Sequence, residues 1–167
     1  DVCSSDLSVF SPIASSAASG TKLTTGFPVD AQIFSVRTGP SNKGQTVDRL
    51  RGVSANATES GAQLITNSTA AETTTSIPTL FWDNTGFKMV SSYAGISDVF
   101  WNFGRAPGFF DVVCYTGTGV GFGGQSLNHA LGAAPELIII KDRNTTYNWV
   151  VLCNNLIFRL NATDAEI

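Results

Sequence analysis

A chain of 167 residues that is 43% hydrophobic carries enough apolar material for one domain, or two small ones, while only 14% of it is charged. Its formal charge of −3 and its ten scattered Lys and Arg residues argue against a nucleic-acid surface. No apolar run approaches the length of a membrane span, so membrane insertion is not expected either. Gly, Ser, Thr and Asn take the surface places that Lys and Glu fill in helical cytosolic proteins, a composition suited to a β-rich secreted or virion protein.

The first seven residues, Asp1–Leu7, are set aside, because one back-translation of them looks like the end of a common sequencing-library adapter. Without Asp1 and Asp6 the net charge is −3 + 2 = −1. The Ser/Ala-rich lead from Ser11 to Gly20 is too weakly apolar to pack well alone. Ala31–Arg37 alternates after the Phe27-Pro28 bend and predicts a strand. Asp48-Arg49-Leu50-Arg51-Gly52 reads as a strand end followed by a glycine turn. The polar stretch Ser54–Ser76 shows at most a turn or two of helix near Ala70–Thr73. Leu80-Phe81-Trp82 and Phe87–Val90 flank Asp83-Asn84-Thr85-Gly86 and predict a hairpin. Further strands are predicted at Asp98–Phe103, Phe109–Tyr115, Glu136–Lys141 and Trp149–Leu152, with Arg105-Ala106-Pro107-Gly108 as the best boundary. Short strands between turn signals point to an all-β protein, an antiparallel β-sandwich or jelly roll.

The chain also repeats itself. Thr25–Arg37 is a degenerate copy of Leu131–Arg143, pairing Gly26 with Gly132, Asp30 with Glu136, Ile33 with Ile139 and Arg37 with Arg143. The offset is constant at 132 − 26 = 106, and it carries Asp48 onto Asn154 and Leu50 onto Leu156. Residues 8–106 therefore read as a first β-sandwich module and 107–167 as an incomplete second copy.

Candidate chemistry is sparse. His129 is the sole histidine, and its counterpart at the repeat offset is Leu23, so a loop role is expected and no catalytic residue is assigned. No metal-ligand spacing occurs, and no cofactor is implied. Asp30 and Glu136 head their strands after a proline, which suits strand entry or ion pairs with Arg37 and Arg143 rather than glycosidase chemistry. The glycine-rich run from Tyr115 to Gly124 is followed by no helix, which removes the dinucleotide-loop reading. Cys114 and Cys153 could bridge, but Cys153 aligns with Val47 and Cys114 lies in an apolar run, so free, packed thiols are expected. Four Asn-x-Ser/Thr sequons, at Asn56, Asn67, Asn144 and Asn161, read as incidental in a chain rich in Thr and Asn. Arg49 and Arg51, with their planar donors, and Trp82 and Trp149, if exposed, are the candidate glycan or subunit contacts.

Arg105–Gly119, Asn128–Arg143 and Trp149-Val150-Val151, with Asp48–Gly52 and Asp83–Phe87 in the first copy, resemble tandem modules of tailed-phage virion proteins such as tail fibres. The resemblance implies a concanavalin-like β-sandwich and a non-enzymatic virion component, a homotrimer that contacts other virion subunits and host-surface glycans. It supplies no catalytic residues. Two other classes remain open on the residues alone, a lectin-like carbohydrate-binding module and a β-sandwich glycoside hydrolase.

Overall fold

The computed structural model describes residues 9–38, 44–52, 60–76, 79–80, 83–89, 97–119 and 124–163. The segment Asp1–Leu7, Phe81, Trp82, Val90 and Asn56 lie outside the described residues. The described chain is all-β with antiparallel pairing throughout. Its strands are β1 (Phe10–Ser15), β2 (Lys22–Thr24), β3 (Ala31–Val36), β4 (Gly44–Asp48), β5 (Ser60–Ile65), β6 (Thr73–Ser76), β7 (Thr79–Leu80), β8 (Gly86–Met89), β9 (Asp98–Phe103), β10 (Leu137–Ile140), β11 (Val150–Cys153) and β12 (Leu156–Arg159). They form a six-stranded sheet ordered β1-β9-β3-β4-β5-β6 and two three-stranded sheets, β2-β8-β7 and β10-β11-β12.

Period-two alternation explains how the first two sheets make a sandwich. In the large sheet Ile13, Phe100, Phe34 and Gln45 lie in one row across β1, β9, β3 and β4. Phe34, Val47 and Phe100 pack with Phe87 and Met89 of the smaller sheet, and Ile13, Ala17 and Leu23 close the edge of that core. The Phe87 and Phe100 rings meet at 5.1 Å across the two sheets, and Phe34 and Phe100 at 6.0 Å within one. Such tilted contacts stabilise beyond the area they bury.

The adjacent row is polar and fully paired. Thr79 Oγ1 donates to Gln32 Oε1 at 2.9 Å, Gln32 Nε2 to Asn102 Oδ1 at 2.7 Å, and Asn102 Nδ2 to the Ser11 carbonyl at 2.7 Å. Gln32, Asn102 and Thr79 are wholly buried, so a one-residue slip of β3 against β9 would strand their amides in the core. Hydrogen bonding fixes here a register that hydrophobic pattern alone leaves loose.

The predicted strand Asp98–Phe103 is β9, and those at Ala31, Glu136 and Trp149 form within a residue of their expected ends. The hairpin β7–β8 also forms: Asp83 accepts from the Thr85 amide at 2.7 Å while its own amide donates to the Gly86 carbonyl at 3.0 Å. Three readings need correction. The Ser/Ala-rich lead supplies β1, which pairs with β9 and sends Ile13 to the core. Ala70–Thr73 is not helical but leads into β6, where β-branched threonines pair with β5. Phe109–Tyr115 has strand composition yet forms only a bridge, Ala106 to Phe110, because no neighbouring backbone lies beside it among the described residues.

The hairpin β10–β11 stands at the repeat offset from β3–β4. Adding 106 to Ala31 and Gly44 gives Leu137 and Val150, the first residues of β10 and β11. The registers differ by one residue: Ala31 faces Asp48, whereas Leu137 faces Cys153. Each hairpin follows a left-handed glycine at the same offset, Gly26 at φ 86° and Gly132 at φ 74°.

Candidate functional site

The polar chemistry of the chain gathers where the sandwich meets the segment after Gly104. Asp48 ends β4 and accepts both the Arg51 amide, at 2.9 Å, and the Arg51 Nε. Gly52 follows in the left-handed region, φ 84°, after the buried Arg51. Its side chain is 4% exposed and also donates to the Thr46 carbonyl at 3.2 Å and to Glu72 Oε2 at 3.1 Å. Arg143 grips the same carboxylate with two donors, Nη2 to Oε1 at 2.7 Å and Nε to Oε2 at 2.9 Å, and its carbonyl accepts the Glu72 amide at 2.8 Å. Burial pushes Glu72 upward, but the hydrogen bonds and charges of Arg143 and Arg51 outweigh it and hold the carboxyl below its usual range. The row Asp48–Arg51–Glu72–Arg143 is a charge-neutral clamp between the two parts of the chain.

Beside it, an open cleft is lined by Leu50, Arg105, Asp111, Val112, Val113, Cys114 and the loop Asn128–Ala130. Asp111 shapes it. The carboxylate takes Arg105 Nε at 2.5 Å, the Val112 amide at 2.8 Å and the Ala130 amide at 2.7 Å. Burial raises its pKa, and those three donors with the Arg105 charge bring it below the ordinary value. Asp111 is thus an anchor for the loop, not an acid or base awaiting substrate.

Cys114, His129 and Asp111 share this cleft, a combination that in another geometry activates a thiol. Here His129 Nδ1 accepts the Leu131 amide at 3.3 Å, so that ring nitrogen is already engaged by the loop backbone. No hydrogen bond joins Cys114 to His129, and Asp111 is engaged elsewhere. The arrangement can bind but has no base aligned on a nucleophile. Both thiols are free, as expected, yet Cys114 is exposed rather than packed.

The sequence-derived candidates fall as follows. Arg49 donates to the Val29 carbonyl at 2.8 Å and pairs with Asp30 at 3.2 Å, so Asp30 faces Arg49 and the Arg105 amide rather than Arg37. Arg143 reaches Glu72 and not Glu136, which is exposed. Arg51 lies in the clamp. Trp149 is 6% exposed and its indole N–H donates to the Ile65 carbonyl at 2.8 Å, tying β11 to β5 instead of facing outward. Asn161 is used internally too, accepting the Trp149 amide at 2.7 Å. Asp30, Asp48, Glu72, Asp83 and Asp111 are all engaged by cations or backbone amides. Among the described residues no group of His, Cys, Asp and Glu could hold a metal ion.

Glu72 and Asp111 were not singled out from the sequence. Each had one signal: a lone acid inside a Thr/Ala tract, and a lone acid inside the apolar run Phe109–Tyr115.

One family model matches. It describes a domain of unknown function, DUF7483, and covers residues 104–167, from the end of β9 through β12. No curated protein and no solved structure matches the chain. The DUF7483 match takes in Asp111, the cleft loop, Arg143 and Trp149 but leaves Asp48, Arg51 and Glu72 outside it.

Proposed function

We propose that this chain is a non-enzymatic structural module of a phage virion, part of a tail fibre or related appendage, assembled with other virion subunits as a homotrimer. The carrying observation is the hairpin that recurs at an offset of 106 residues, each copy entered through a left-handed glycine. Recurrence of a structural unit suits an extended appendage better than an enzyme. The acid that recurs with it, Asp30 and Glu136, heads each hairpin, and Asp30 is taken up by Arg49 and the Arg105 amide. The resemblance of Arg105–Gly119 and Asn128–Arg143 to tailed-phage modules supplies the setting. The test is recovery of the complete gene with its neighbours, and electron microscopy of the complete product. Tail-assembly genes alongside and a beaded trimeric fibre are expected; an isolated gene encoding a compact monomer would sink the proposal.

Glycan binding is the second reading, favoured by the cleft rather than by the tryptophans. Asn128 and Arg105 present hydrogen-bond donors around an open hollow floored by Leu50 and Val113. Saturable binding on a glycan array, weakened at least about tenfold by Asn128→Ala, is the expected result for a site of that kind.

A further inference from the structure

β10 contradicts its own composition. Leu137-Ile138-Ile139-Ile140 is a continuous apolar run, the pattern of a strand buried on both faces. Yet Leu137 is 55% exposed, Ile138 40% and Ile139 45%, and since neighbouring residues point to opposite faces, neither face is covered. Leu156 and Ile157 of β12, and Leu160 just after it, are also exposed. The counterpart strand β3 is buried or half-buried at every position.

The repeat says which strand the counterpart edge carries. β3 is paired on both edges, with β4 on one side and β9 on the other. β10 has its β4 counterpart, β11, but among the described residues it is the end strand of its sheet. On β3 the second edge holds β9 antiparallel, with Phe103 opposite Ala31, Asn102 opposite Gln32 and Phe100 opposite Phe34. At the offset of 106 those β3 positions become Leu137, Ile138 and Ile140.

We infer that the free edge of β10 is an acceptor for one further antiparallel strand of the β9 kind. That strand is extended, aromatic at the positions facing Leu137 and Ile140, and apolar where β9 carries Asn102. The last point follows from Ile138. In the first module Asn102 is satisfied by Gln32, whereas an asparagine facing Ile138 would be buried without that partner. Main-chain hydrogen bonds supply the pairing, and the side-chain pattern selects the strand. The inference rests on the repeated hairpin and stands or falls independently of the virion reading, which the gene neighbourhood tests.

The test uses the full chain and a lysine-flanked peptide of residues 97–104 carrying Asn102→Val. Hydrogen exchange and amide chemical shifts are followed as the peptide is added. Slowed exchange confined to Leu137–Ile140, with the chain's oligomeric state unchanged by the peptide, is expected. The same peptide with Asn102 retained should bind at least about tenfold more weakly. Ile139→Lys should abolish the effect while β3 and β9 amides stay protected, since a charge in mid-edge opposes strand addition. No protection of β10 at millimolar peptide would overturn the inference. So would equal binding of both peptides, or β10 amides already protected by a concentration-dependent dimer, which would make a second copy the occupant.

Discussion

Two charged residues of one clamp differ sharply in what they contribute. Arg51 is buried against a buried Asp48, so Arg51→Ala leaves a carboxylate without its cation in a low-dielectric site and should cost about 3–5 kcal/mol. Arg143 is 44% exposed, so Arg143→Ala should cost about 1 kcal/mol or less despite its two hydrogen bonds. Urea unfolding of both variants at neutral pH checks the ordering; similar losses would mean the clamp acts as one unit. Asp98 presents the opposite case. It is 1% exposed, neither carboxylate oxygen has a hydrogen-bond partner among the described residues, and burial raises its pKa from 3.8 to about 6. The folded state therefore holds this proton more tightly than the unfolded one. Its contribution to stability is complete below about pH 4 and is lost as the pH climbs through about 6. At roughly 1.4 kcal/mol per unit, the loss is about 3 kcal/mol by pH 8. Asp98→Asn removes the charge, so the stability difference between variant and wild type should grow in the variant's favour from pH 4 to 8. Thermal unfolding across that range measures it, and a difference independent of pH would place the charge elsewhere.

At the scale of elements, the β7–β8 hairpin shows how local chemistry and a tight approach combine. Lys22 Nζ donates to Asp83 at 2.6 Å and to Thr85 Oγ1 at 2.7 Å, so β2 grips the turn it packs beside. Lys22 first, then the Thr85 amide, hold the Asp83 carboxyl down at about 2. Gly86 is needed because β2 passes so close that a Cβ would collide with the Leu23 carbonyl. Gly86→Ala should destabilise by more than about 1 kcal/mol, whereas Gly117→Ala, where a Cβ meets open space, should be near neutral. Paired denaturation curves decide it. The turn was legible in Asp83-Asn84-Thr85-Gly86, and β9 in its alternating aromatics, because those signals are local. β1, β5 and β6 were not legible, since Ser, Ala, Thr and Gln become strand only beside a partner. The converse failure is Phe109–Tyr115, apolar enough for a strand but without a neighbour. The clamp was half legible: Asp48–Gly52 stood out as charge in a chain short of it, while Glu72 is joined to it only by the fold.

At the scale of the whole molecule the two parts of the chain are unequally closed. β3 and β9 sit in mid-sheet and carry the core aromatics, while β10–β12 form a thin sheet with exposed apolar side chains. Among the described residues the hydrogen bonds that attach that sheet to the sandwich are few. Arg143 and Glu72 share two through their side chains and one through the backbone, and the buried Trp149 indole donates to the Ile65 carbonyl. Elements with few buried contacts open at lower free energy than the core they lean on. Amides of β10–β12 should therefore exchange at least about tenfold faster than those of β3 and β9. Trp149→Phe keeps most of the apolar bulk but deletes one hydrogen bond, so it should lower the local opening free energy by about 1 kcal/mol. That is a further roughly fivefold acceleration in β10–β12 with β3 and β9 unchanged. Hydrogen exchange followed by mass spectrometry resolves both effects. Uniform acceleration of every strand would show instead that the C-terminal sheet and the sandwich unfold as one body, with the indole bond part of a single cooperative core.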